Sequence, residues 1–318
     1  MTTLTLPASP PPTPIAPPAP FATADKRPRT PALVALAARL RRHPFAVQAH
    51  FRHCLVLTYA ADPAPLAGLL PPGLTLDTFR GRGFLAVALV QTQALRPAGF
   101  PAFLGQNFFL AGYRLFVRHR TAAGRTLRGL FILRSETDAA RMVLAGNLLT
   151  HYRYIRCQST LIEHDGWLEA TTRRPATGEI TLHVAATLPP FAAPNGPAAD
   201  APAPTPAPAA PIPPPPALPD GSPFQTHREA RRFAGPLPFT FDYDPTAHGI
   251  VRIEGRRSRW LPVPVRAAVL RNAFLDAPPF AGAHPVLAAA FHLHDIDYRW
   301  RRGVFEPLPQ PLSQEIHP

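Results

Sequence analysis

Apolar and polar residues alternate with a period of two along most of this chain, which predicts strands. From His50 onward, His50, Arg52, Cys54, Val56 and Thr58 fall on one face of an extended segment, and Phe51, His53, Leu55, Leu57 and Tyr59 on the other. Asp62-Pro63 ends that strand and opens a short helix over Ala64–Leu70, closed by Pro71-Pro72-Gly73. Leu74–Phe79 and Phe84–Thr92 read as a hairpin across Arg80-Gly81-Arg82-Gly83, and Tyr113–His119 with Thr126–Arg134 as a second around Ala122-Ala123-Gly124. Further strands are predicted at Tyr152–Gln158, Leu161–Glu163, Trp167–Thr172 and Glu179–Ala186. Leu237–Tyr243 and Gly249–Glu254 form a hairpin pattern around Asp244-Pro245-Thr246, and Ala290–Trp300 alternates again. Helical spacing is confined to Ala32–Leu40, behind a Thr30 cap and Pro31, and to Ala139–Leu149. Short, regularly spaced strands with few helices predict an α+β fold, mostly antiparallel β, as a sheet or barrel with outer helices.

Proline punctuates this pattern. Of 45 prolines, 10 lie in residues 1–31 and 15 in residues 189–223. A chain so rich in residues without a backbone N–H cannot continue a helix or a sheet ladder. The expected organisation is a Pro-rich leader (1–29), the first part of one domain (30–188), a Pro/Ala-rich linker (189–223), the second part of the same domain (224–306) and a tail (307–318). Two cysteines, Cys54 and Cys157, give no disulfide framework, and no Cys-x-x-Cys pair suggests zinc. The chain shows no charged region followed by an apolar signal core, and no run of 18 apolar residues. A cytoplasmic protein without a membrane span is the expectation, and the sequence leaves its oligomeric state open, a homo-oligomer included.

Charge sharpens the picture in one respect. Lys and Arg together number 33 against 20 acidic residues, yet Lys26, in the leader, is the only lysine. Arginine stays protonated and cannot form a Schiff base, so a lysine nucleophile in the folded domain is excluded. The arginine preference explains most of the net charge of +13, so specific nucleic-acid binding is not implied. An anionic-surface role would fall to the leader, the basic helix ending at His43 and the Arg256-Arg257-Ser258-Arg259 cluster. No nucleophile elbow, phosphate loop or dinucleotide fingerprint occurs, and Gly81-Arg82-Gly83 is a turn. His50, His53, His292 and His294 make pairs without a third cluster to complete a metal site, so no metal or cofactor is implied. The carboxylate pairs Glu136/Asp138, Asp242/Asp244 and Asp295/Asp297 suit half-exposed strand faces. More informative are Arg52, Arg114 and Arg153, each beside core-like apolar residues. A buried guanidinium needs an anion, supplied by an internal carboxylate or by a ligand.

Several stretches carry a family resemblance. Phe51-Arg52-His53-Cys54-Leu55-Val56-Leu57-Thr58-Tyr59, Leu70-Pro71-Pro72-Gly73-Leu74 and Asn147-Leu148-Leu149-Thr150-His151-Tyr152 are three of them. Arg228-Glu229-Ala230-Arg231-Arg232-Phe233, Ile253-Glu254-Gly255 and Tyr298-Arg299-Trp300-Arg301-Arg302-Gly303 extend the match. Together they resemble the YqjF-like family, domain of unknown function 2071, of the acetoacetate decarboxylase-like superfamily. The resemblance implies a cone-like, mostly antiparallel β-barrel around a central pocket. Acetoacetate decarboxylase itself works through a Schiff-base lysine activated by a second lysine. Its pocket arginine corresponds to Arg52 and its Pro-Lys-Lys motif to the region of His151-Tyr152-Arg153. Its glutamate would lie near Asn107–Gly112, where this chain has none. Imine-type decarboxylation is therefore not expected.

The reading that follows is a protein that binds a small anionic or keto-acid molecule in an Arg-lined barrel pocket. Arg52 and Arg153 would clamp the anion, Arg114 would support them, and Tyr152 would hydrogen-bond or stack. The rival is a lysine-independent lyase or hydratase, for which His151, Tyr152 and Glu136 are the proton-transfer candidates.

Overall fold

The computed structural model describes residues 31–188, 214–235, 237–258 and 260–309. Lys26, most of the proline-rich linker and Arg259 lie outside the described residues. Two long strands lead: β1 (Val47–Ala61), which the period-two pattern foretold, and, beyond the short β2 (Leu74–Leu76) and β3 (Thr78–Phe79), β4 (Arg82–Pro97). β5 (Gln106–Arg120) and β6 (Thr126–Thr137) form the predicted hairpin, with Leu115 opposite Phe131. A short β7 (Tyr154–Arg156) lies parallel to the end of β6. β8 (Gln158–His164), β9 (Trp167–Arg173) and β10 (Ile180–Thr187) follow. After the linker come β11 (Phe239–Asp244), β12 (Gly249–Arg257), β13 (Val263–Pro264), β14 (Ala267–Asn272), β15 (Val286–Trp300) and β16 (Val304–Pro307).

Seven of these strands close a ring in the order β15-β1-β4-β5-β6-β11-β12, with β12 returning to β15 through Gly255↔Trp300 and Arg257↔Tyr298. A ring of seven cannot be antiparallel throughout. The one parallel contact falls between β6 and β11, at Gly129↔Phe239 to Phe131↔Phe241. Gly129 is required there, because a Cβ would sit 2.5 Å from the Phe239 carbonyl oxygen. Residues on either side of the linker thus share one barrel.

A separate four-stranded sheet, β14-β10-β9-β8, packs on the outside of that barrel. The main core lies between the two layers, where Leu55, Leu57, Leu85 and Leu115 meet Leu168, Leu182 and Val184. At roughly 25 cal/mol per Å² of apolar surface, this contact is the main hold on the outer sheet. His53 adds a polar tie. Its Nε2 lies 3.3 Å from Glu163 Oε2 on β8, and its Nδ1 shares a hydrogen bond of 3.1 Å with His292 Nε2 on β15.

Four helices sit around the barrel. α1 (Pro31–Leu40) and α3 (Ala140–Leu149) match the predicted helical segments and touch each other at one end. α2 (Pro63–Ala67) is shorter than the pattern suggested, giving way to turns before Leu70. α4 (His227–Ala234) was not foreseen. Thr226 accepts from the Glu229 N–H and Glu229 returns a bond to the Gln225 N–H, a capping box that fixes its start. From α4, Phe233 joins Phe224 of the preceding loop, Phe84 of β4 and Phe116 of β5, and their rings fill one end of the barrel.

One predicted hairpin needs correction. Leu74–Leu76 pairs with Val117–His119 of β5, and only Thr78–Phe79 turns back onto Arg82–Gly83. Asp77 divides the two pieces. Its N–H bonds the Phe116 carbonyl, and its fully buried carboxylate lies between the Arg118 and Arg128 guanidiniums.

The His53–His292 contact makes stability depend on acid. Burial, then the neighbouring His53 and His294, push the His292 imidazole down to about 3 from 6.5. The unfolded chain therefore takes up a proton below about pH 6.5 that the folded protein refuses until near pH 3. Folding stability should fall as pH drops through this window. Urea denaturation between pH 7.5 and 4 checks it: the His292→Leu variant should show a shallower decline on the acid side than the parent.

Candidate functional site

The barrel interior above the Phe84–Phe116 plug is hollow. A cavity of about 370 Å³ is walled by inward residues of all seven ring strands, within the usual range for small-molecule sites. The α1–β1 junction (His43, Pro44, Phe45), α3 and the Pro97–Gln106 segment surround its other end. Among the described residues that line it there is no aspartate, glutamate or lysine; the charged groups are Arg96, Arg114 and Arg257.

These three arginines differ in what they meet. Arg96 donates from Nε to the Phe100 carbonyl at 2.8 Å and from Nη1 to the Ala94 carbonyl at 2.7 Å. Arg257 donates to the Leu237 carbonyl at 3.3 Å and to the Tyr298 hydroxyl at 3.5 Å, with its guanidinium carbon 4.7 Å from the Trp260 ring centroid. Arg114 forms no ion pair or hydrogen bond with any described residue, and its Nε is buried without a partner. It projects from β5 between Gly112 and Phe116, and its guanidinium folds back over Gly112: a Cβ there would lie 3.0 Å from Nη2 and 3.1 Å from Nε. Gly112 thus reserves the space the guanidinium occupies.

Around this cation stand protonated groups. Tyr152 and Tyr154, both in the wall, have hydroxyls raised in pKa chiefly by burial, Tyr154 to about 12 and Tyr152 well above its usual value. Burial likewise raises the Tyr298 hydroxyl and pushes the Cys54 thiol to about 11. The Arg114 charge lowers each of the four, yet burial wins, so none ionises near neutrality to balance it. The Tyr152 hydroxyl is itself buried without a hydrogen-bond partner. Arg114 and Tyr152 therefore bring two unmet donors to one cavity, whose remaining wall is mainly apolar.

The structure separates the sequence candidates. It brings together Arg114 and Tyr152 and leaves Arg52 and Arg153 exposed, outside the cavity wall. The reason at Arg52 is a bulge: Phe51 opposes Thr92 and His53 opposes Gln91, so Arg52 is an extra residue with no counterpart on β4. The bulge resets the alternation, and Phe51, Cys54 and Val56 face the cavity where unbroken alternation would have placed Arg52. Arg153 has φ 51° and lies between two inward tyrosines. Its outward direction lets Tyr154 close against α3 at Gly146, where a Cβ would be 2.2 Å from the ring.

The proton-transfer candidates are likewise dispersed. His151 lies outside the wall, its N–H and Nδ1 2.9 and 3.2 Å from Asp242 Oδ2. Glu136 faces the outer sheet. It is 1% exposed and pairs with Arg134 Nη2 at 2.6 Å, and burial raises its carboxyl pKa against the pull of that arginine. The paired carboxylates are structural: Asp244 binds Arg42 Nε at 2.8 Å, and Asp138 accepts from the Phe109 N–H and Ser159. The Arg256-Arg257 neighbours point apart, Arg256 to Glu254 and Arg257 to the cavity. Sequence reasoning missed Tyr154, Arg257 and Tyr298 as cavity residues. Strict alternation through Tyr152-Arg153-Tyr154 and Tyr298-Arg299-Trp300 was the signal that could have found three of the inward rings.

Comparison with solved structures places this architecture in the acetoacetate decarboxylase-like fold. It is similar to an acetoacetate decarboxylase-like enzyme from Sphingomonas wittichii RW1, at 16% identity over 85% of this chain and 94% of that one, with a TM-score of 0.50. The acetoacetate decarboxylase of Legionella pneumophila matches at 12% identity, over 85% of this chain and 90% of that one, with a TM-score of 0.52. The enduracididine biosynthesis enzyme MppR, complexed with the condensation product of pyruvate and imidazole 4-carboxaldehyde, matches at 12% identity over 82% and 89%, with a TM-score of 0.50. Within the chain, residues 48–201 match the model of the DUF2071 family, described as an uncharacterized conserved protein. No curated protein matches the sequence. Among the described residues no helix is long and apolar enough to cross a membrane.

A guanidinium with no counterion among the described residues costs folding stability. Replacing Arg114 with methionine should raise stability of the ligand-free protein by about 1–2 kcal/mol, since apolar replacements of buried charges are often stabilising. Urea midpoints of the two proteins at one pH measure this directly.

Proposed function

We propose that this protein binds a small organic anion, a carboxylate or keto acid, inside the barrel, with Arg114 as its counterion. One observation carries the reading: a guanidinium that cannot lose its proton sits in a cavity whose described walls offer it no carboxylate. A carboxylate ligand would take two parallel hydrogen bonds from Arg114 and a third from the Tyr152 hydroxyl. The similar structure of MppR holds a pyruvate-derived condensation product, which supports a ligand of that charge. No Schiff-base step enters, because the chain's only lysine is Lys26.

Binding is favoured over a lysine-independent lyase or hydratase by where the proton-transfer candidates lie. Tyr152 alone of the three lines the cavity, and it is held protonated, a donor rather than a base. Arg52 and Arg153, exposed to solvent, have no part in the clamp proposed here.

Thermal unfolding of the full chain against a panel of carboxylates, keto acids and phosphate tests the reading. A ligand at 100 times its dissociation constant should add roughly 2.7 kcal/mol of stability. The shift should vanish in Arg114→Gln and persist in Arg52→Ala. Equal shifts in both variants, or none with any anion in the parent protein, would overturn it.

A further inference from the structure

Resting on the anion-binding reading above, we infer that the ligand is a monocarboxylate with a long apolar body, a medium-chain alkanoate or an aryl-alkanoate of similar length, lying along the barrel axis.

The argument begins with the distribution of polarity along the cavity. Arg114 and Tyr154 share one level: the Arg114 guanidinium lies over Gly112, and Gly112 pairs across the sheet with Ser135, which pairs in turn with Tyr154. Below this level the barrel is blocked by the rings of Phe84, Phe116, Phe224 and Phe233. A headgroup held by Arg114 therefore leaves its body one direction to run, toward the end surrounded by Phe45, α3 and Gln106. The wall along that path is mainly apolar, with Phe51, Leu95, Phe108 and Met142, and also carries Arg96 and Gln106. A three- or four-carbon keto acid would leave most of this surface facing water.

Volume sets the length. At about 30 Å³ for each water-sized group, 370 Å³ holds about twelve heavy atoms. Three belong to the carboxylate, which leaves about nine carbons for the body. Arg114 is the cavity arginine with no hydrogen bond to a described residue, because Arg96 and Arg257 already donate to backbone carbonyls, so it is where the headgroup docks. A second charge on the ligand body would lose hydration along the mainly apolar wall unless it reached Arg96 or Arg257.

Calorimetric titration of the full chain with butyrate, hexanoate, octanoate, decanoate and dodecanoate tests the inference, with decanol, pyruvate and succinate as comparisons. Affinity should rise about fourfold per added methylene and level off or fall beyond about ten carbons. Decanol, which lacks the headgroup, should bind at least tenfold more weakly than decanoate. Ala145→Phe, on the cavity face of α3, should move the optimum to shorter acids. Ala145→Leu should do so more mildly, with the ligand-free melting temperature of each reporting its folding. Affinity independent of length, or pyruvate or succinate binding as tightly as decanoate, would overturn the inference while leaving an Arg114-dependent anion site intact. Decanol matching decanoate would overturn it too. Silence of every acid would instead sink the anion-binding reading itself.

Discussion

Seven strands cannot close into a ring with every neighbour antiparallel, and this parity constraint governs the rest of the molecule. One pair must run parallel, and it is β6 with β11. Parallel neighbours need a crossover in place of a tight turn. Everything between Thr137 and Phe239 is that crossover: α3, β7 at the end of β6, the strands β8 to β10 of the outer sheet, the proline-rich stretch and α4. The same excursion builds the two ends of the cavity. Its start lays α3 beside one end, and its close brings Phe233 into the aromatic plug at the other. By its position in the chain the proline-rich tract falls within this crossover, between β10 and α4.

The hollow interior raises an energetic question that the packing of the outer layer answers. A domain that leaves its barrel unfilled and places a bare cation in it gives up favourable burial twice. Compensation comes from the opposite face of the same strands. Along β4 and β5, Leu85, Val87, Ala111 and Leu115 point outward into the core against β9 and β10, while Ala86, Val90, Leu110 and Arg114 point inward. Period-two alternation makes the two faces independent, so one can be packed for stability and the other left open for a ligand.

How much of this was legible in the sequence follows from the same alternation. Where it runs unbroken, as in β11 with β12, elements and pairing were readable from residues alone. Where a single residue interrupts it, inference by face fails downstream or upstream of the break. Arg52 is the instructive case: an arginine flanked by apolar residues looks buried, but a bulge relative to β4 expels it and turns Phe51 inward. No local signal marks that bulge, since it depends on which residues of β4 oppose it. At Arg114 the interruption lies on the partner strand, where Leu133 of β6 has no counterpart, so β5 keeps its own alternation and Arg114 faces the cavity with Leu110 and Phe116. α4 was missed for a different reason. Eight residues with four charges carry little apolar periodicity, though Thr226-His227-Arg228-Glu229 does spell its capping box. That Arg114 has no carboxylate partner among the described residues was beyond sequence altogether, since a count of acids does not say which strand face each one takes.

The chemistry of the wall has a consequence for how such a site would respond to its surroundings. Acetoacetate decarboxylase depends on a lysine whose protonation must be tuned, and tuned groups titrate. Here burial drives every titratable wall group away from neutrality: His43 downward, Cys54 to about 11, Tyr154 to about 12, and Tyr152 and Tyr298 upward. Arg114 keeps its charge throughout. The cavity therefore presents a constant positive charge across the range from about pH 7 to 10, in which neither the acid nor the base side of its wall changes state. In that range the ionisation of the bound acid, complete well above its own pKa near 4–5, is constant as well. A carboxylate bound there as proposed would be held with an affinity indifferent to pH over that range, because neither it nor the wall changes charge.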